Sequence, residues 1–327
     1  MASIFRLLPP AQKISTRQEA TALIKRLEPK RLIAFDTETT GLSRTRDYAV
    51  LLSLSDGEGR WAVWPSALPY FQEFLEFPGR RLIGHNVNFD QWMLLNVGID
   101  LDRFTQTNYA RCIDTMVMHA LWDDSAPHDL KYLARQYLNI DMVPFKELYG
   151  AQLRTRPLKE IFLDPKNEAK TVNYSALDAY ATFRLFLCLQ RQLQDAKITE
   201  PESSYTDLWD YYLRSEIPFT KVLWHMERRG IALNEDTLLD RAPRLELEIA
   251  NLLHWFCKQL RRFDVNLSSN PQMVALFFDK LGKQVLTRTA GGAPQLSKVA
   301  LKTWAAQGCE YSKNLLAYRD KTKNLGT

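Results

Sequence analysis

Residues 32–42 read LIAFDTETTGL, an apolar run that ends in two carboxylates, Asp36 and Glu38, before Thr39-Thr40-Gly41 break it. An apolar, turn-free run closed this way fits a central strand emerging from a sheet. Alternate side chains of a strand share a face, so Asp36 and Glu38 point the same way at its end. Two like charges that close repel unless a cation lies between them. The plain reading of an isolated D-x-E is a surface strand end or an N-cap pair.

The rest of the chain supplies the frame. YAVLLSLSDGEGRWAVWP holds two β-rich segments around Asp56-Gly57, a hairpin signal. RRLIGHNVNFDQWMLLNVG reads as a short strand, a polar loop and a helical pattern ending at Gly98, and IFRLL near the N-terminus is a strand candidate. CIDTMVMHALW, HDLKYLARQYL and VNYSALDAYATFRLFLCLQRQL carry helical spacing. Strands first and helices later, with a strand-to-helix crossover, predict an α/β domain with a mixed sheet. Periodicity lapses in DAKITEPESSYTD, which places a domain boundary at about residue 200; residues 201–327 read as almost wholly helical. A length of 327 residues suits two such domains.

Composition narrows the class. Hydrophobic residues make up 46% and charged ones 25%, a globular balance. No apolar stretch approaches the ~20 residues of a membrane span. MASIFRLLPPAQK lacks the apolar core of a secretory signal, so a cytoplasmic location and no membrane partner are expected. Cys112, Cys188, Cys257 and Cys309 form no CxxC pair and read as reduced thiols. The net charge of +5 is too mild to announce nucleic acid. Its excess lies in residues 201–327, with 18 basic against 14 acidic side chains, most densely in YSKNLLAYRDKTKNLG.

Two further acids stand in suggestive settings. Asp90 follows the loop of GHNVNFD and opens a helix, where an N-cap or first-turn acid is the plain reading. Tyr174 and Asp178 in YSALD lie four apart and share one helical face; taken alone they read as a core aromatic and an exposed acid. In this order, FDTETTGL, GHNVNFD and YSALD resemble the three exonuclease motifs of the proofreading domain of family A DNA polymerases, in its tyrosine subclass. RSEIPFTKVLWHMERRGIALN and LSSNPQMVALFFDKLG with AYRDKTK are similar to the start of the polymerase module and its thumb. The resemblance therefore covers nearly the whole chain.

It implies a ribonuclease-H-like α/β exonuclease domain over residues 1–200 and a mainly helical partial thumb over 201–327. It also implies 3′-5′ hydrolysis of single-stranded or frayed DNA ends, in the service of replication. Two divalent ions, Mg²⁺ or Mn²⁺, would stabilise both the attacking and the leaving oxygen. Asp36, Glu38 and Asp178 would bind one, and Asp36 with Asp90 the other, partly through water. A phenol with an ordinary pKa of about 10 is a poor base at neutral pH, so Tyr174 would orient the attacking water. Leu42 would wedge beside the terminal base, Asn86 would contact the strand, and Phe145 would pack on the 3′ nucleotide; ordinary core is the plain reading of Leu42 and Phe145. The chain stops before palm and fingers, so no polymerisation is expected from it alone, and a separate polymerase chain would be its partner through the truncated thumb. No 5′-nuclease domain is expected before it.

Alternatives stay open. His119 and Asp124 fit the H-x4-D spacing of the histidine subclass, although Asp124 falls where the helical pattern breaks and a structural histidine is the plainer reading. An RNA-trimming enzyme similar to ribonuclease D shares the tyrosine motif, and a DNA-binding or assembly subunit with a silent exonuclease fold could retain the acids. The basic residues near the C-terminus could grip duplex phosphate or form a solvated face.

Overall fold

A computed structural model describes residues 8–104, 111–289 and 291–326. The chain divides into two compact units, Met1–Gly230 and Ile231–Thr327. The division lies C-terminal of the boundary expected near residue 200. The candidate strand IFRLL lies, apart from Leu8, outside the described residues.

The first unit opens with β1 (Ala11–Ile14) and α1 (Arg17–Leu27). Thr16 caps α1 in a reciprocal box, its hydroxyl accepting from the Glu19 N–H while the Glu19 carboxylate accepts from the Thr16 N–H. Then come β2 (Leu32–Thr39), β3 (Ala49–Ser55) and β4 (Arg60–Val63). β3 and β4 form the expected antiparallel hairpin. At its turn the Asp56 carboxylate accepts from the N–H groups of Glu58 and Gly59. Gly57 sits there at φ 82°, where a Cβ would stand 2.5 Å from the Phe183 ring.

The short helix α2 (Gln72–Glu76) leads to β5 (Arg81–Gly84), α3 (Val87–Leu95), β6 (Cys112–Asp114) and α4 (Thr115–Trp122). Cys112–Asp114, expected to be helical with the residues after it, is instead a strand. Its peptide groups pair with β5, and the helix starts only where the Asp114 side chain accepts from the Met116 N–H. The unit continues through α5 (Leu130–Leu138), the short helices α6 (Phe145–Tyr149) and α7 (Leu158–Leu163), and α8 (Glu168–Asp195). It ends with α9 (Leu208–Tyr211), a π-helical turn and α10 (Ile217–Arg229).

The six strands run in the order β1-β4-β3-β2-β5-β6. β2 is interior, antiparallel to β3 and parallel to β5, so the sheet is mixed as expected. One face buries Ile33, Phe35, Leu52 and Leu54 with α1 and α3; against the other lies α8. Buried Ser175, Ala176 and Ala179 keep α8 slim and let it approach β2 and β3 closely. The stretch that lost periodicity is a closed loop: Lys197 bridges Asp207, backbone and side chain, and Ile198 donates to the Thr206 carbonyl. The chain thus returns to the first unit, where Tyr212 and Ile217 are buried with Phe186 and Leu189.

The second unit consists of α11 (Glu235–Leu260), α12 (Asn270–Val274) with a π-helical turn, α13 (Lys298–Ala306) and α14 (Glu310–Leu325) around Phe256, Phe277, Leu301, Trp304 and Leu315. Its helical character is as expected. Lys313 and Lys321 of the basic run are ion-paired with Glu310 and Glu248. Among the described residues no helix is long and apolar enough to cross a membrane, and the four cysteines are unbridged.

Candidate active site

The site begins where β2 outruns its parallel neighbour. β5 pairs with β2 only as far as Ala34, so the following peptide groups on that edge need other partners. The Thr37 N–H donates to Asp90 Oδ1 at 3.0 Å and the Thr37 hydroxyl donates to the same oxygen at 2.5 Å. Asp90, the fourth residue of α3 and 3% exposed, therefore stands in for a missing strand. Its helix is seated by Asp114, whose carboxylate accepts from the N–H groups of Asn86 and Val87. The Tyr212 hydroxyl in turn accepts from the Asp114 N–H at 2.8 Å.

On the other face of β2, Asp36 and Glu38 meet Asp178 of α8. Ligand oxygens of these three carboxylates all lie within 4.8 Å of one another. Burial raises all four acids. Glu38 is pushed up to about 8, with Asp178 adding to the effect. Asp90 rises to about 7 against the pull of its Thr37 hydrogen bonds. Asp178 also rises to about 7, with Lys131 opposing. Asp36 lies well above its ordinary range through burial and then the charges of Asp90, Asp178 and Glu38. Glu38 Oε1 and Asp178 Oδ1 are buried with no hydrogen-bond partner among the described residues. Hard oxygen donors, crowded, buried and partnerless, fit a divalent cation.

Tyr174 lies one helical turn before Asp178. Its hydroxyl accepts from Lys131 Nζ at 3.0 Å, and burial followed by the charge of Asp178 holds its pKa above the ordinary phenol range. Phe145 packs on the Tyr174 ring with centroids 5.9 Å apart and is only partly buried. Beside Tyr174 and Asp178 opens a groove of about 420 Å³, walled by Met142, Val143, Leu148 and Leu177 and bordered by Arg60 and Lys170.

Leu42 is 84% exposed, so it is not a core residue. Its loop is tied down: Asp47 accepts from the Thr40 hydroxyl and the Ser43 N–H, and Asn96 donates to the Arg44 and Asp47 carbonyls. Arg44 also pairs at 2.5 Å with Glu227, which accepts from Asn88 and Trp92 as well. Asn86 takes a left-handed conformation (φ 65°) at the entry to α3.

His119 is buried, and its ring nitrogens face His128 Nδ1 at 2.7 Å and the Tyr137 hydroxyl at 3.1 Å; Asp124 is exposed beyond the end of α4. The H-x4-D pair is therefore not assembled. Lys131 and Thr37 were not legible as site residues, because each earns its place through a partner far away in sequence. The aromatic-aliphatic wall of the groove gave only short apolar runs.

A mixed sheet whose interior strand delivers two carboxylates to a third on the covering helix defines a ribonuclease-H-like nuclease. The sequence model of the 3′-5′ exonuclease family matches residues 11–194, over half of the chain, and the chain belongs to that family, the exonuclease domain of A-type DNA polymerases. It is 29% identical over 322 residues to DNA polymerase I of Pseudomonas aeruginosa, covering 94% of this chain and 33% of that protein. To the DNA polymerase DpoZ of Acinetobacter phage SH-Ab 15497 it is 24% identical, covering 83% and 44%. The chain thus spans about a third of the length of the bacterial DNA polymerases I it matches. In fold it is similar to the POL domain of Pol1 from M. smegmatis, solved in complex with DNA primer-template and dNTP. The TM-score is 0.57 at 18% identity, over 95% of this chain and 48% of that one.

Proposed function

We propose that this chain is a divalent-metal-dependent 3′-5′ exodeoxyribonuclease acting on single-stranded or frayed DNA ends, the proofreading part of an A-type polymerase. The observation that carries this reading is the set of three carboxylates within 4.8 Å, with two of their oxygens buried and without a hydrogen-bond partner among the described residues. Asp36, Glu38 and Asp178 would hold one ion, and Asp36 with Asp90 would support a second. Bound there, divalent ions supply activation of water and charge stabilisation at the attacked phosphate and the leaving oxygen.

The chain's own groups do the rest. Tyr174 stays protonated and orients the attacking water rather than taking its proton. Water oxygen bonds to phosphorus, the bond from phosphorus to the penultimate 3′ oxygen breaks, and that oxygen takes up a proton; a nucleoside 5′-monophosphate leaves. The groove beside Tyr174, apolar on one wall and bordered by Arg60 and Lys170, suits a terminal nucleotide and its phosphate. Exposed Leu42 on its braced loop suits a wedge at the end of the strand, with Asn86 and Phe145 as further contacts.

The test is degradation of a 5′-labelled single-stranded DNA with Mg²⁺, beside Asp36→Ala protein and an EDTA control, with an RNA strand of the same sequence in parallel. A ladder shortening from the 3′ end in DNA, absent from both controls, is the expected result. Intact DNA with the strand still bound would overturn the catalytic reading, and faster loss of RNA would overturn the choice of substrate.

A further inference from the structure

Lys131 is an unusual residue for its position. It is the second residue of α5, whose N-cap Asp129 accepts from the Tyr132 N–H. The first turn of a helix presents unpaired N–H groups and a partial positive charge, which favours acids and disfavours a lysine. Local structure therefore gives no reason for an ammonium group here, and the tertiary structure does. Lys131 Nζ lies 3.0 Å from the Tyr174 hydroxyl and 4.9 Å from the centroid of its ring. Its charge is felt at Asp36, Glu38 and Asp178 alike. An ammonium group only donates, so the Tyr174 oxygen accepts from it and the single phenolic proton is turned away, free for a water or phosphate oxygen.

We propose that Lys131 is a positioning residue of the exonuclease site: it fixes the Tyr174 hydroxyl as a donor toward the reacting atoms and places a positive charge beside the acid cluster. This inference rests on the exonuclease reading given above. The charge has two opposing consequences. It assists when the phosphodiester brings further negative charge to the site, and it repels a divalent cation approaching the three carboxylates. Losing it should therefore slow hydrolysis without weakening metal binding, whereas loss of a merely structural residue would weaken both.

The test compares wild type, Lys131→Met, Lys131→Arg, Tyr174→Phe and the Lys131→Met/Tyr174→Phe double variant. Hydrolysis of single-stranded DNA is measured at saturating Mg²⁺, and Mn²⁺ affinity by paramagnetic resonance. Lys131→Met should lower kcat about tenfold or more with KM within about twofold. It should bind Mn²⁺ as tightly as wild type or about threefold tighter, since a like charge has gone. Lys131→Arg should recover most of the rate. In the Tyr174→Phe background the lysine change should cost less than it does in wild type, because the hydroxyl it positions is absent and only the charge is lost. Hydrolysis by Lys131→Met within twofold of wild type, Mn²⁺ binding that weakens in step with activity, or fully additive losses would each overturn the proposal. A wild-type protein that leaves DNA intact would instead overturn the exonuclease reading and this inference with it.

Discussion

At the scale of single residues, the site separates groups that hold charge from a group that holds geometry. Asp36 belongs to the crowded three-acid set, and Asp36→Ala should abolish hydrolysis. Tyr174, kept protonated by burial and by Asp178, contributes a hydrogen bond, so Tyr174→Phe should leave a remnant about ten- to a hundredfold below wild type. Single-turnover rates decide this; equal loss in the two variants would show Tyr174 doing more than orienting. The raised acids also make a stability prediction. Without bound cations, Glu38, Asp90 and Asp178 keep protons up to about pH 7–8, whereas the unfolded chain releases its carboxyl protons near pH 4. Between those limits the folded site binds more protons than the unfolded chain, so stability is highest at the acid end and is lost as the pH rises. In EDTA, Glu38→Gln should therefore gain on wild type between pH 5 and 8, by roughly 2–4 °C in Tm for each kcal/mol relieved. Parallel melting curves for the two proteins would count against it.

At the scale of elements, Asp114 is the joint between β6, α3 and α4. One carboxylate accepts from the N–H groups of Asn86, Val87 and Met116, which seats the helix carrying Asp90 and starts α4. Asp114→Ala would orphan these donors and should cost about 2–3 kcal/mol in urea unfolding. It should also slow hydrolysis by loosening α3. A change below about 0.5 kcal/mol would mean that water replaces the carboxylate. β2, the hairpin and α8 were legible because each has a run long enough to show its period or a turn that declares itself. β6 was not: three residues show no period, and the helix that follows lent them its own. Lys131 and Thr37 were invisible for a related reason, since their partners lie 43 and 53 positions away.

At the scale of the molecule, the boundary is the testable matter. Residues 201–230 bring buried Tyr212, Ile217 and Trp224, and Lys221 pairs with Asp102 at 3.4 Å. Trp224 sets its ring edge-on to Trp92 of α3, with centroids 5.1 Å apart. A protein ending at residue 230 should therefore melt cooperatively, while one ending at 200 should lose its sharp transition. Equal melting of the two would place the domain end near 200 after all. The sequence suggested that earlier end because a Pro- and Ser-containing loop resembles a linker. Its closure by Lys197 and Asp207 is a tertiary fact with no periodic signature.

The junction at Thr37 has a practical consequence for trapping a complex with intact DNA. Asp90 completes the hydrogen bonding of a sheet edge, so truncating it would disturb the strand that carries the other acids as well as the chemistry. Among the described residues, Asp178 Oδ1 accepts from no donor. Asp178→Asn is accordingly the better choice for a silenced protein meant to retain its native shape around a captured strand.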